Sequence, residues 1–357
     1  MTEYGASGIY RRNIVPRSQH YNDRVVAVGT SAGGLDALRA LLSSLPSDFT
    51  VPMLIVMHIG AHRSFLPELL QPACPLRVVD AVDDVPLEPS TIYLAPSDRH
   101  LLVHRGRTRL SAAPKENFAR PAIDPLFRSV AAEFGAHAVA VVLTGDLDDG
   151  AAGAAAVHAC GGRVIVQAPE ESVARSMPAS ALAAVPTATV AGLDRLAQAI
   201  IDAVHQPIQG VPVQVDKRRI EIETEIARTG IASPAQLDEL GNRSTLTCPD
   251  CGGVIWQIGD AAPLRYRCHT GHAFSKASLE ATQKAGLEDA LWMSVRRIEE
   301  CAELAASRAR AAQTRGDDAG ARSERVAAEK LRKLQQSLRQ FVLVNPTADE
   351  DGSSPGI

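Results

Sequence analysis

Val26-Ala27-Val28-Gly29-Thr30-Ser31-Ala32-Gly33-Gly34, followed by Leu35-Asp36-Ala37-Leu38-Arg39-Ala40-Leu41-Leu42, decides how the chain is read. An apolar strand runs into a glycine-rich corner and a helix leaves it. Leu35, Leu38, Leu41, Leu42 and Leu45 recur at helical spacing and give that helix one face to bury. Gly29 and Gly33 flank Ser31 as G-x-S-x-G, the pattern of a nucleophile on a sharp strand-to-helix turn. Residues without a Cβ reach backbone angles closed to others and let neighbours approach. The helix start beyond Ser31 offers unpaired N–H groups and a positive dipole end to an oxyanion. The same corner also suits a phosphate cradle or a plain βα turn. Neither G-x-G-x-x-G nor G-x-x-x-x-G-K-[ST] is matched, which removes both nucleotide fingerprints.

Outward from this corner, short β-branched runs alternate with helical stretches from Arg24 to about His205. That alternation predicts an α/β fold, a doubly wound and mostly parallel sheet with helices on both faces. Strands are expected at 51–57, 77–80, 91–94, 138–143 and 163–167, with a hairpin around Gly106 and helices over 122–134 and 193–204. The 51–57 run is almost continuously apolar, as befits a strand covered on both faces.

Ser31, His58 and Asp149 each fall just past the C-terminal end of a predicted strand, the edge where ligands collect in open α/β sheets. A serine hydroxyl needs a histidine to take its proton and a carboxylate to fix the imidazole's tautomer. The sequence supplies one of each at one rim, in an order unlike the familiar hydrolase folds. By spacing alone, Asp146 and Asp148 rival Asp149, and Asp149 also suits a cap for a helix starting at Gly150.

The bulk properties narrow the classes. A chain of 357 residues, 45% hydrophobic and 22% charged, is long enough for about two domains with a buried core. A formal net charge of -4 supplies no basic field for nucleic acid. No run approaches the ~18 apolar residues of a membrane span, so no membrane insertion is expected. Residues 1–23 carry Arg11, Arg12 and Arg17 without an apolar run behind them, unlike a signal peptide. Six cysteines, three of them clustered late, suggest a metal site in a reducing compartment, with the cytoplasm as the expected location.

Gly29-Thr-Ser-Ala-Gly-Gly34, the strand ending at His58, Tyr93-Leu-Ala-Pro-Ser-Asp-Arg-His100, Arg120-Pro-Ala-Ile-Asp124-Pro-Leu-Phe127, Leu143-Thr-Gly-Asp-Leu-Asp-Asp149-Gly150 and Met177-Pro178 occur in this order. Together, over about residues 24–205, they resemble the catalytic domain of the chemotaxis protein-glutamate methylesterases, the CheB family. The resemblance implies a serine hydrolase that removes methyl groups from glutamate 5-O-methyl esters on chemoreceptor helices, some members also deamidating glutamine. Carried over by motif, Ser31 is the nucleophile, His58 the base and Asp149 the orienting acid, with no cofactor for catalysis. Methylated chemoreceptors are the implied partner. Many members begin with a receiver domain, whereas about two dozen residues precede Arg24, so a stand-alone form without phosphorylation control in cis is expected. Ala32 stands where many members have threonine. Asp146 stands where many have a methionine whose backbone N–H helps the oxyanion. These two departures keep open a catalytically weak adaptor in a chemosensory system, or an esterase or amidase with another substrate.

Further along, Cys248-Pro-Asp-Cys251 and Cys268-His-Thr-Gly-His272 have the paired spacing of a tetrahedral zinc site, with His269 as the alternative fourth ligand. Four protein ligands would make the zinc structural. Leu287, Leu291, Val295, Ile298, Cys301 and Leu304 mark one amphipathic helix, and Leu331, Leu334, Leu338 and Phe341 a second. Similar zinc-plus-helix tails follow some stand-alone members of the family, and the helices are expected to offer a surface to other chemosensory proteins. The expected divisions are a 1–23 tail, a 24–205 catalytic domain, a 206–241 linker, a 242–280 zinc-ribbon-like module, a 281–344 helical hairpin and a 345–357 polar tail.

Overall fold

The computed structural model describes residues 24–60, 64–208, 217–259 and 263–344. The 1–23 and 345–357 tails lie outside the described residues. The glycine corner joins β1 (Val25–Thr30) to α1 (Gly34–Ser43), and every residue of β1 is buried. Beside β1 lie β2 (Met53–Met57), β3 (Arg77–Asp80) and β4 (Thr91–Leu94). A separate hairpin, β5 (His100–His104) and β6 (Arg107–Ser111), turns at Gly106. After α2 (Leu66–Leu70) and α3 (Ile123–Phe134), the chain returns to the sheet as β7 (Ala138–Val142). It continues through α4 (Ala151–Ala159), β8 (Arg163–Gln167), α5 (Ser176–Ala184), β9 (Thr189–Ala191) and α6 (Leu196–His205).

The seven strands order as β3-β4-β2-β1-β7-β8-β9, and every pairing is parallel. The sheet is thus wholly parallel, and both its faces are covered. One face carries Leu38, Leu41, Leu42, Leu196 and Ile200 from α1 and α6. The other carries Ile123, Phe127, Val130, Val157 and Met177 from α3, α4 and α5. From β1 the chain first builds outward through β2 and later returns to add β7 on β1's other side. That reversal makes the carboxyl ends of β1, β2 and β7 a switch point, where crevices form in such sheets. No helix among the described residues is long and apolar enough to cross a membrane.

The stretch expected as a linker is more ordered than its composition suggests. It holds α7 (Lys217–Thr229) and α8 (Pro234–Leu240), the latter opened by a capping box from Ser233 and Gln236. Ile220 of α7 joins the core on the α3 side, while Ile222 and Ile226 pack with Leu237, Leu240 and Trp256. β10 (Gly241–Thr247), β11 (Val254–Ile258), β12 (Arg265–Cys268) and β13 (Ala273–Ser275) then form an antiparallel sheet. The chain passes directly from β13 into α9 (Lys276–Thr314), so the 280/281 division expected above falls inside one helix.

α9 and α10 (Asp318–Val344) pair as an antiparallel hairpin along a seam that keeps Val295, with Leu291, Ile298, Leu331 and Leu338 half-buried, and leaves the other apolar residues named above outside. Val295, Ala302, Ala305, Ala309 and Ala312 are buried on α9, opposite Ala321, Ala328 and Val342 on α10. Leu287, Cys301, Leu304, Leu334 and Phe341 are exposed. With the half-buried Leu291 and Ile298, the α9 positions step by four and three, a heptad seam that runs from leucine, valine and isoleucine into alanine. Towards the turn the seam is alanine, whose small side chains let the helices approach closely there.

A buried charge cluster joins the cysteine sheet to the parallel-sheet domain. Glu116 pairs with Arg128 of α3 and with Arg267 of β12, the latter at 2.8 Å, while Glu223 of α7 pairs with Arg265. Burial alone would raise the Glu116 carboxyl, but the Arg128 and Arg267 guanidiniums outweigh it and hold it at about 2. This depressed carboxyl contributes stability that is full above its ordinary value of 4.5 and lost as pH falls from there through about 2. The contribution is about 3 kcal/mol. Thermal melts across this range should show Glu116→Gln less stable than the parent at pH 7, with the gap narrowing as acid protonates Glu116.

Candidate active site and candidate metal centre

The corner after β1 places Ser31 half-buried at the sheet's rim, and the left-handed residue of the turn is Gly33, at φ 75°. The serine itself is not among the residues with positive φ. Ser31 N–H donates to the Thr144 carbonyl at 2.9 Å, tying the corner to the end of β7. Gly29 has no room for a side chain, since a Cβ there would lie 2.3 Å from Ile123 of α3. α3 can therefore press its first turn against the site.

The structure brings the three residues singled out by sequence together. His58 Nδ1 lies 3.2 Å from Ser31 Oγ, and His58 Nε2 lies 2.8 Å from Asp149 Oδ2. An ionised Asp149 can only accept, so the proton sits on Nε2 and Nδ1 presents its lone pair to the serine hydroxyl. The imidazole is thus used in the opposite sense from the serine-protease template, where Nε2 faces the serine.

Asp149 is 2% exposed and surrounded by donors. Besides His58, its carboxylate accepts from Ile123 N at 2.7 Å, Asp124 N at 3.2 Å, Gly150 N at 3.0 Å and Asn117 Nδ2 at 3.0 Å. Ala122, at the N-cap of α3, has no side chain to cap with, and Asp149 does that work from across the site. The helix starting after Gly150 is capped by Asp124, whose Oδ1 accepts from Gly150 N and Gly153 N. The two aspartates thus exchange helix starts: Asp149 holds the start of α3, whose first turn contains Asp124, and Asp124 holds the start of α4, which follows Asp149. Burial raises the proton affinity of Asp149. The His58 hydrogen bond and charge, with the N–H groups of Ile123 and Asn117, outweigh it and hold the carboxyl below its ordinary range. Burial and the Asp149 charge push Asp124 up to about 7. Of the rival carboxylates, Asp148 is turned to Ser275 Oγ at 2.6 Å, and Asp146 is exposed.

Gly145 sits against Ser31, because a Cβ there would meet Met177 Sδ at 2.1 Å and Ser31 Cβ at 2.8 Å. Met177 N–H in turn donates to the Gly145 carbonyl, so the start of α5 braces this segment beside Ser31. The backbone N–H groups of Ala32 and Asp146 have no hydrogen-bond acceptor among the described residues. The remaining motif residues brace loops. Arg120 grips Asp98 at 2.6 Å, while His100 accepts from Ala122 N at 3.2 Å and donates to the Pro114 carbonyl at 3.0 Å. Burial keeps His100 easily deprotonated, as an acceptor on one nitrogen requires. Sequence reasoning missed Asn117, which lies three residues before the quoted Arg120-Pro-Ala-Ile-Asp124 motif and carries no signature of its own.

In the cysteine sheet, one ligand atom from each of Cys248, Cys251, Cys268 and His272 lies within 4.8 Å of every other. Cys251 Sγ and Cys268 Sγ are 3.7 Å apart, and His272 Nδ1 is 3.8 Å from Cys248 Sγ and 3.5 Å from Cys268 Sγ. A tetrahedron of bonds near 2.3 Å has edges of about 3.8 Å, so the donor set fits zinc. Two tight turns present the pairs: Gly252 N–H bonds to the Cys248 carbonyl, and Gly271 N–H to the Cys268 carbonyl. His269 packs over Gly253 and is not part of the cluster. His272 Nε2 faces Asp250 at 3.7 Å, the outer carboxylate that orients many metal-binding imidazoles.

The family model described as CheB methylesterase matches residues 26–200. A protein-glutamate methylesterase/protein-glutamine glutaminase of Myxococcus xanthus is 42% identical over 181 residues, covering 50% of this chain and 51% of that protein. The chain therefore spans about half the length of that relative. A Leptospira interrogans relative is 33% identical over 184 residues, 50% of this chain and 94% of that protein. The crystal structure of the Thermotoga maritima CheB methylesterase catalytic domain aligns with 50% of this chain and 97% of its own at 30% identity and a TM-score of 0.48. The family model falls on the parallel sheet and its serine corner, and with the Leptospira relative 33% identical and matched over 94% of its length, this chain belongs to the CheB methylesterase family.

Proposed function

We propose that the chain is a serine hydrolase that demethylates glutamate 5-O-methyl esters on chemoreceptor helices in chemotaxis-type signalling. The observation that carries this reading is His58 bridging Ser31 Oγ and the Asp149 carboxylate at the rim of the sheet. His58 Nδ1 takes the hydroxyl proton as Ser31 Oγ adds to the ester carbon, and Asp149 stabilises the imidazolium. The oxyanion finds donors in the Ala32 and Asp146 N–H groups beside the serine, each such donor being worth about 3–4 kcal/mol in the transition state. Those donors belong to the backbone and survive any side-chain change. The intermediate collapses as the imidazolium protonates the leaving methoxide, releasing methanol. Water then attacks the acyl-enzyme, giving its proton to His58 and freeing the glutamate carboxylate and Ser31. With glutamine in place of the ester, ammonia leaves and the rest of the cycle is unchanged.

Purified chain incubated with methylated receptor should release methanol and leave glutamate at the modified positions. Turnover of small esters with no methanol from receptor would move the substrate elsewhere while keeping the chemistry.

The Cys248, Cys251, Cys268 and His272 cluster is read as a structural zinc site, since four protein ligands leave no open position for chemistry. Bound zinc would cross-link the two turns. Comparable peptides draw an apparent ~10–16 kcal/mol of folding free energy from the metal. The reduced full chain should carry equimolar zinc by mass spectrometry under native conditions, and Cys251→Ser with Cys268→Ser should abolish it. The double variant should also lose amide protection in β11 and β12 by hydrogen exchange.

A further inference from the structure

Asn117 stands between the candidate triad and the cysteine sheet, and its side-chain amide is used completely. Its Nδ2 donates to Asp149 Oδ1 at 3.0 Å and to Asp124 Oδ2 at 3.2 Å. Its Oδ1 accepts from Ser275 N at 2.7 Å and faces the Ser278 hydroxyl at 3.2 Å, a proton shared with the Ser275 carbonyl. An amide has two donors and two acceptor lone pairs, so all four positions are filled. Turning it over would set its oxygen against two carboxylates and its NH2 against the Ser275 N–H. The orientation is therefore fixed from both sides, by the carboxylates and by the Ser275 N–H.

That side belongs to the C-terminal region. Ser275 ends β13 and caps α9, accepting from Ser278 N, while its hydroxyl donates to Asp148 beside Asp149. Asn117 N–H also donates to the Ala273 carbonyl, and Glu116 is locked to Arg267 of β12, next to the metal-cluster residue Cys268. Asn117 holds φ 49°, a left-handed conformation that asparagine tolerates better than most residues.

We propose that Asn117 is a positioning residue for the hydrolytic reaction, through which the β13–α9 corner of the C-terminal region holds Asp149 in place to orient His58. The cysteine sheet then supports the active site through Asn117, which bonds Asp149 Oδ1 while the imidazole bonds Oδ2. This inference rests on the triad reading. It also identifies a route by which loosening of the C-terminal region lowers activity without anything touching the substrate.

The test is the pH dependence of fluorophosphonate labelling in the full chain, read with the proton NMR resonance of the His58 imidazole N–H that faces Asp149. Asn117→Ala should slow labelling about ten- to a hundred-fold at neutral pH through misplacement of the acid and base. It should also move the midpoint of the profile upward, because Asp149 loses a donor that offsets its charge, and shift the imidazole resonance. Ser278→Ala should do the same more weakly. Labelling that falls equally at every pH with the resonance unmoved means a merely structural role and overturns the proposal, as does no change in either readout. If Asn117→Ala does not fold, Ser278→Ala decides: a shift in the same direction supports the proposal and an unmoved profile and resonance overturn it. Ser31→Ala is the control, and label retained there would overturn the triad reading and this one together. Loss of label in that control with unmoved Asn117 and Ser278 profiles overturns this one alone.

Discussion

Ser31→Ala is expected to lower ester hydrolysis by about a million-fold in kcat, the loss seen when one member of a triad acting as a unit is removed. The fold should be untouched. The serine is half-buried, its backbone N–H already bonds Thr144, and its hydroxyl has the imidazole as a partner and no role in the core. Melting temperature and far-ultraviolet circular dichroism should match the parent. Residual turnover over water would come from the backbone donors at Ala32 and Asp146, which the mutation leaves in place.

The next largest effect is expected at Asp149. Asp149→Asn keeps the size of the side chain and, with its oxygen at the Oδ1 position, still accepts from Asp124 N, Gly150 N and Asn117 Nδ2. It puts an NH2 group in place of Oδ2, facing His58 Nε2, now 2.8 Å from a carboxylate, and costs Ile123 N its acceptor as well. A donor there forces the imidazole proton onto Nδ1, which then points an N–H at Ser31 Oγ where a lone pair is needed. The wrong tautomer costs about ten-thousand-fold in kcat in the serine-protease template. The reversed imidazole does not alter that logic, since each nitrogen exchanges roles with the other. Asp149→Ala should be worse for stability, because it strips the N–H groups of Asp124 and Gly150, as well as that of Ile123, of their acceptor. Steady-state kinetics on both variants, with melts alongside, separates the tautomer effect from the capping effect.

The parallel sheet was legible because its strands are dense in valine, isoleucine and leucine and end at residues with chemistry to offer. Ser31, His58 and Asp149 stood out for the same reason, each directly past a strong apolar run. What chose Asp149 over Asp146 and Asp148 was the resemblance, since one residue's spacing does not say which carboxylate turns inward. α7 was hidden by its own sequence. Ile220-Glu-Ile222-Glu-Thr-Glu-Ile226 alternates with period two, and a buried Glu223 sits where a helix face would show a hydrophobe. That glutamate is paired with Arg265, forty-two positions away, which no local pattern reveals. The helical hairpin was legible only in part. Leu291, Val295, Ile298, Leu331 and Leu338 do mark its seam, but towards the turn the seam passes to Ala302, Ala305, Ala309 and Ala312, whose weak hydrophobic signal hides how closely they let two helices approach. Asn117 was invisible because three of its four side-chain hydrogen bonds go to residues distant in sequence, Asp149, Ser275 and Ser278.

The most direct test of the proton relay is the site and rate of fluorophosphonate modification in the full chain, located by peptide mass. The account predicts a single phosphonylated residue, Ser31, with labelling abolished by Ser31→Ala and slowed by orders of magnitude by His58→Ala. Unmodified Ser31 in a folded protein, or modification that proceeds equally fast without His58, would contradict it.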